Sequence, residues 1–150
     1  MIISSLNPAK DDLWFIPLGG TGEIGMNLNL YGHDGQWLMV DCGVSFNEPL
    51  YPAADTGVTK DALFSVVAPD PEFITSRKEQ LAGLVITHAH EDHVGAVPYI
   101  WQRFRCPVYT TPFTAEVLRR KLARENMAGR VPIIEVSENS THTIGPFTVR

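Results

Sequence analysis

An apolar run, Leu81-Ala82-Gly83-Leu84-Val85-Ile86, passes without a break into Thr87-His88-Ala89-His90-Glu91-Asp92-His93-Val94-Gly95. A run of this length reads as a buried strand, so whatever follows it is delivered to the edge of a sheet. There it places three of the chain's five histidines and two carboxylates within six positions, His88 to His93. Neutral imidazole nitrogen and carboxylate oxygen are the donors that a borderline cation such as Zn²⁺ takes. His88 and His90 can chelate one ion if the chain curls after the strand, and the adjacent Asp92 and His93 can turn to a second. The plain alternative is a polar surface loop, which would suffice for a lone histidine. Four donors at H-x-H-x-D-H spacing behind a buried strand favour metal.

Around that junction the chain reads as alternating strands and helices. Trp14 to Leu18, Met26 to Tyr31 and Trp37 to Val40 are strand candidates, and Asp34-Gly35 between the last two favours a tight hairpin, so the chain opens as a β-meander. Residues 43–62, with Gly43, Pro49, Pro52 and Gly57, read as a long loop, and Pro69-Asp70-Pro71 as a turn before Phe73-Ile74. Beyond the strand at 81–87, Gly95 to Phe104 reads as a helix with Pro98 in its first turn. Cys106 to Thr110 reads as a strand. Thr111-Pro112 opens a second helix as cap and first residue; Leu118 and Leu122 share one face of it, and Gly129 ends it. Val131 to Val136 and Phe147 to Val149 complete the strands. A meander followed by strand-helix-strand-helix-strand suits an α/β chain forming half of a four-layer αββα sandwich.

At 150 residues and 44% hydrophobic content the chain can build one core. No apolar run is long enough to cross a membrane, and the N-terminus lacks the basic and apolar regions of a signal peptide. Cys42 and Cys106 are too few for a disulfide framework and read as small buried thiols. A cytoplasmic protein is the expectation.

Gly20-Thr21-Gly22-Glu23-Ile24-Gly25 follows a strand and precedes Asp41, which on paper is a dinucleotide fingerprint. That motif must open a helix whose N-terminus holds a pyrophosphate. Here Met26 to Tyr31 alternates as a strand, so a tight turn with backbone at positive φ is the better reading. Asp41 ends an apolar strand, where an unpaired carboxylate would be costly to bury, so it needs a partner; the alternative is a turn-forming Asp before Gly43.

Thr87 to Tyr99 resembles the signature of the metallo-β-lactamase superfamily, and within it the ribonuclease J branch of the β-CASP nucleases, which carries Glu between the second His and the Asp. Leu18-Gly19-Gly20-Thr21-Gly22-Glu23-Ile24-Gly25-Met26-Asn27 and Val40-Asp41-Cys42-Gly43-Val44-Ser45-Phe46 are similar to two further blocks of that branch. The resemblance implies a metallo-β-lactamase-like fold. It implies two Zn²⁺ ions per complete site, His88 and His90 holding the first, Asp92 and His93 the second. It also implies hydrolysis of RNA phosphodiesters by a metal-activated water, with Asp92 and His93 at the catalytic centre. It implies 5′-to-3′ exonuclease and endonuclease activity in RNA decay and maturation, RNA as partner, and a homo-oligomer of the full-length protein. Asp41 is expected to orient the metal-binding loop, and Glu91 to support rather than bind. A thioester or lactam hydrolase of the same fold, or a non-catalytic module, are the alternatives.

In that branch a third His for the first ion follows the strand resembling Pro146 to Arg150, which leaves His142 as a loop residue; His33 reads as a surface residue. On this reading residues 1–150 are the N-terminal part of a metallo-β-lactamase domain, without β-CASP and C-terminal regions, and inactive alone. The chain departs from the pattern at Asn47, where Pro is usual, and between 47 and 69, which looks longer. Between Arg103 and Arg130 lie seven basic and two acidic side chains, on a chain of formal charge −5. Arg119, Arg120 and Arg124 of this segment are candidates for RNA phosphate contacts, against an ordinary solvated helix face.

Overall fold

The computed structural model describes residues 6–46 and 66–150. The chain opens with three antiparallel strands, β1 (Trp14–Gly19), β2 (Leu28–His33) and β3 (Gln36–Val40). Asp34 and Gly35 join β2 to β3 at φ 46° and 72°. Both central residues of a type I′ hairpin need that left-handed backbone, which is why Asp-Gly marks one. Two short strands, β4 (Ser45–Phe46) and β5 (Val66–Val67), pair antiparallel. The loop expected over 43–62 therefore opens with a strand; its remainder, Asn47 included, lies outside the described residues.

A single helical turn, α1 (Glu72–Thr75), takes in Phe73 and Ile74 and leads to β6 (Leu81–Val85). Then follow α2 (Glu91–Val94), α3 (Val97–Phe104), β7 (Val108–Thr110), α4 (Pro112–Arg124) and β8 (Ile133–Glu135). Strands β6, β7 and β8 lie parallel to β3, giving one six-stranded sheet of order β1-β2-β3-β6-β7-β8. Helix α4 ends at Arg124 rather than at Gly129. Its chain leaves through Glu125 and Asn126, the latter at φ 57°, and Gly129 at φ 72° serves the following turn.

Ile16, Leu30, Met39, Leu84, Val108 and Ile133 stand opposite one another from strand to strand. With period two that row is one face of the sheet. Helical side chains close it: Ile74 from α1; Val97, Ile100, Trp101 and Phe104 from α3; Leu118 and Leu122 from α4. Each such burial stabilises by roughly 1.5–3 kcal/mol. Trp37 is fully buried, edge-on to Trp14 at 6.1 Å and to Phe73 at 5.2 Å. The opposite face carries Leu38, Val40, Val85 and Tyr109, which line an open groove with Ile144 and Val149. The latter two belong to a hairpin, β9 (His142–Ile144) and β10 (Phe147–Val149). His142 is thus a strand residue, not a loop residue. One sheet with its helices on one face is the arrangement expected of half a four-layer sandwich.

Candidate metal centre

Strands β3 and β6 are parallel neighbours, so their C-terminal ends meet at one edge of the sheet. Ligand sites of α/β sheets gather at that edge. Asp41 leaves β3 there in the left-handed region, φ 62°, with its N–H donating to Val85 O at 2.8 Å. The next three residues run beside the histidine motif: Cys42 N donates to His93 O at 2.8 Å and Val44 N to Glu91 O at 3.0 Å. Between them Gly43 N donates to Asn27 O at 2.9 Å. The approach at Gly43 is so close that a Cβ would overlap the carbonyl of Asp92. Only glycine fits.

Asp41 is 5% exposed and its carboxylate is fully engaged. It accepts from Thr87 N at 2.8 Å, from Thr87 Oγ1 at 2.9 and 3.0 Å, and from His93 Nδ1 at 2.8 Å. This web assigns the histidine tautomers. A neutral His93 carries its proton on Nδ1 to donate to Asp41, and in that tautomer Nε2 is a bare lone pair. Thr87 has one hydroxyl proton and spends it on Asp41, so its oxygen accepts from His88 Nδ1 at 3.0 Å. His88 Nε2 is then bare as well. Carboxylate-to-imidazole contacts of this kind are how metal-binding histidines are oriented.

The donors fall into two pairs. His88 Nε2 and His90 Nδ1 are 3.1 Å apart, and His93 Nε2 and Asp92 Oδ2 are 3.4 Å apart. Two ligands tetrahedral about one ion, each roughly 2.0–2.1 Å from it, stand about 3.3–3.4 Å apart. Both pairs suit an ion, and the rings of His88 and His93 are 4.0 Å apart, so the pairs are adjacent. Among the described residues no three His, Cys, Asp or Glu side chains form one ligand group. Two donors of these residues stand at each of two positions.

The remaining candidates sort by location. Glu91 forms an ion pair with Lys121 of α4, which makes it a tie between α2 and α4. Arg119 pairs with Glu135 at 2.7 Å and Arg120 with Glu116 at 2.8 Å. Arg124 lines a small pocket with Lys121, Glu91, Gly95 and Tyr99, on the side of α4 that faces the motif. His142 contacts Ser140 Oγ at 2.7 Å through Nε2. His33 is half-buried rather than a surface residue, its Nδ1 2.7 Å from Asp12 O and its ring against Phe147. Gly20, Gly22 and Gly25 all have positive φ, in a turn that leads into a strand, as expected of a turn and not of a nucleotide-binding helix. Cys42 and Cys106 are free and buried. Burial pushes the Cys106 thiol up to about 12, and burial, with Cys106 and Asp41 nearby, raises that of Cys42 further.

Two contributors carry no metal-ligand signature and escape a search for donors: Thr87, and Asn27. The Asn27 Nδ2 lies 3.1 Å from Asp92 O, 3.3 Å from Asp92 Oδ2 and 3.3 Å from His93 Nε2. Their place inside the matching sequence blocks is the signal that points to them.

Residues 24–146 match the metallo-beta-lactamase superfamily. Ribonuclease J of Sinorhizobium meliloti is 43% identical over 143 residues, covering 93% of this chain and 24% of that protein. Ribonuclease J of Mycolicibacterium smegmatis is 35% identical over 131 residues, covering 87% of this chain and 21% of that protein. The chain thus spans about a quarter of the length of the curated relatives it matches. The crystal structure of the metallo-beta-lactamase fold protein YhfI from Bacillus subtilis superposes with a TM-score of 0.54 at 18% identity, over 92% of this chain and 51% of that one. That likeness is one of fold. The ribonuclease J resemblance read from three sequence blocks is borne out by these relatives, and the match over residues 24–146 makes the chain a member of the metallo-β-lactamase superfamily.

Proposed function

We propose that this chain carries half of the ligand set of a two-zinc ribonuclease. His88 and His90 hold one ion, Asp92 and His93 the other, and Asp41 fixes the imidazoles that face them. The observation that supports this most directly is the pairing of donors at 3.1 and 3.4 Å, with two imidazole Nε2 atoms left bare by the Asp41–Thr87 web. Ions so held lower the pKa of a bound water towards ~7 and neutralise charge on a phosphate oxygen. Within the chain, Asp92 and His93 stand at the reacting centre, while Asp41 and Thr87 keep them aimed.

The substrate in this reading is RNA, from the similarity to ribonucleases J, with 5′-to-3′ exonuclease and endonuclease activities in RNA decay and maturation. A cytoplasmic setting and a homo-oligomeric full-length protein belong to the same reading. Two buried free thiols suit a reducing compartment. Among the described residues no helix is long and apolar enough to cross a membrane. Residues 1–150 form the N-terminal part of the metallo-β-lactamase domain, and the remaining ligands come from elsewhere in a longer polypeptide.

The test is on the intact protein, with bound metal measured alongside hydrolysis of 5′-monophosphorylated RNA and of a thioester control. Wild type is expected to hold two zinc ions and cut RNA. His90→Ala and Asp92→Ala are expected to lose cleavage by at least a hundredfold while keeping the far-UV circular dichroism of wild type. Normal turnover by either variant, or thioester hydrolysis without RNA cleavage, overturns the reading.

A further inference from the structure

Asn27 sits where a cation would be useful. Its backbone N–H donates to Asp92 O at 3.0 Å and its carbonyl accepts from Gly43 N at 2.9 Å, so β2 begins pinned to the motif on one side and to the Asp41–Val44 segment on the other. Its side-chain nitrogen faces three atoms, Asp92 O, Asp92 Oδ2 and His93 Nε2, at 3.1, 3.3 and 3.3 Å. All three are acceptors. The first is a carbonyl, the second a carboxylate, and the third is bare because Asp41 takes the proton of His93 Nδ1. The amide orientation follows from chemistry alone. Turned over, the oxygen of Asn27 would face three acceptors with nothing to donate.

An NH₂ group that offers its hydrogens to a carboxylate oxygen and an imidazole lone pair satisfies the same two donors that Asp92 and His93 would offer to an ion. Those donors are only 3.4 Å apart, and without a positive partner their electron pairs repel. We propose that Asn27 is the positioning residue of the Asp92–His93 pair: its side-chain amide holds Asp92 Oδ2 and His93 Nε2 towards one point before an ion is present. This deepens the reading of Asp92 and His93 as the second ion's donors and rests on it. The His88–His90 pair is reached instead through Thr87, so Asn27 acts on one ion and not on the other.

The experiment titrates Co²⁺ into the chelator-stripped intact protein and follows d–d absorption for stoichiometry and affinity, with thermal unfolding of stripped and loaded samples alongside. Asn27→Leu keeps the shape, and the backbone contacts, and removes the amide. Because the amide occupies the same two lone pairs the ion would take, its removal is expected to change one of the two Co²⁺ affinities at least tenfold, to leave the other within threefold, and to lower the unfolding temperature of the stripped protein. Asn27→Asp keeps the shape and sets a second carboxylate against Asp92. It is expected to lower the unfolding temperature of the stripped protein and to show a larger rise on Co²⁺ binding than wild type. Two unchanged affinities in Asn27→Leu, or two affinities changed equally, would remove Asn27 from this role, as would a wild-type Co²⁺-induced rise in Asn27→Asp. Failure of wild type to bind a second Co²⁺ would instead overturn the metal assignment, and the inference with it.

Discussion

Thr87 makes its one hydroxyl serve two neighbours: it donates to Asp41 and accepts from His88 Nδ1. Valine has nearly the same shape and neither capacity. Thr87→Val therefore leaves the Thr87 N–H on Asp41 but deprives His88 Nδ1 of its acceptor, freeing the ring to take the other tautomer or to turn. The expected result is a 10- to 100-fold weaker first ion, with the Asp92–His93 position retained. The lost hydrogen bonds should lower stability by about 1–3 kcal/mol, because Asp41 stays buried with less to accept. Metal titration and urea unfolding of the intact protein check both numbers. A variant that binds both ions as wild type does would show that the web around Asp41 is packing only. At this scale much of the site was legible. Four donors spaced H-x-H-x-D-H after an apolar run announce themselves, and a carboxylate ending a buried strand asks for a partner. Asn27 and Thr87 did not announce themselves, because neither residue type signals metal chemistry and their contacts span 65 and 46 positions of sequence.

Helix α4 shows what periodicity reveals about an element and what it conceals. Leu118 and Leu122 on one face, with Pro112 after Thr111, were enough to place it. Its end was not, because the helix stops at Arg124, five residues before the glycine that advertises a stop. Strand β9 was hidden for a related reason: His142-Thr143 carries no apolar signal, and only pairing with β10 makes it a strand. The same helix also qualifies the basic segment. Arg119 and Arg120 are already paired with Glu135 and Glu116, whereas Arg124 shares the motif side of α4 with Lys121. Replacing Arg119, Arg120 and Arg124 together by Ala in the intact protein is expected to weaken RNA binding alike across sequences and to flatten its dependence on salt. Arg124→Ala alone should account for most of that loss. Exposed pairs are worth little, so stability should shift by no more than about 0.5 kcal/mol per substitution. Filter binding between low and moderate salt reads the slope, and an unchanged slope returns these arginines to a solvated helix face.

Among the described residues the fold is lopsided. Helices cover one face of the sheet, while Leu38, Val40, Val85 and Tyr109 of the other face line an open groove beneath the β9–β10 hairpin. An apolar sheet face of this kind is normally covered by another layer. The donor set among the described residues is lopsided in the same way, with two donors at each proposed ion position where a zinc site holds four ligands, or three with an open position. Both features fit the proposal that residues 1–150 are one part of a larger domain, and the chain spans about a quarter of the length of the relatives it matches. That half of a four-layer sandwich leaves one sheet face to another layer was legible in the element order; which residues form that face was not, since alternating strands read alike whether one layer or two will cover them. The expected behaviour of the isolated chain follows from ligand count. With two protein donors per ion, zinc should bind at least a hundredfold more weakly than to the intact protein, since each lost ligand removes a bond that the folded site would otherwise supply. RNA cleavage should then be undetectable even at saturating zinc, and the measurement is equilibrium dialysis of zinc beside a gel assay on labelled RNA. Tight binding of two zinc ions by residues 1–150, together with cleavage, would mean that these donors are sufficient, and would bring His142, at the rim of the groove it shares with Thr87, forward as a ligand.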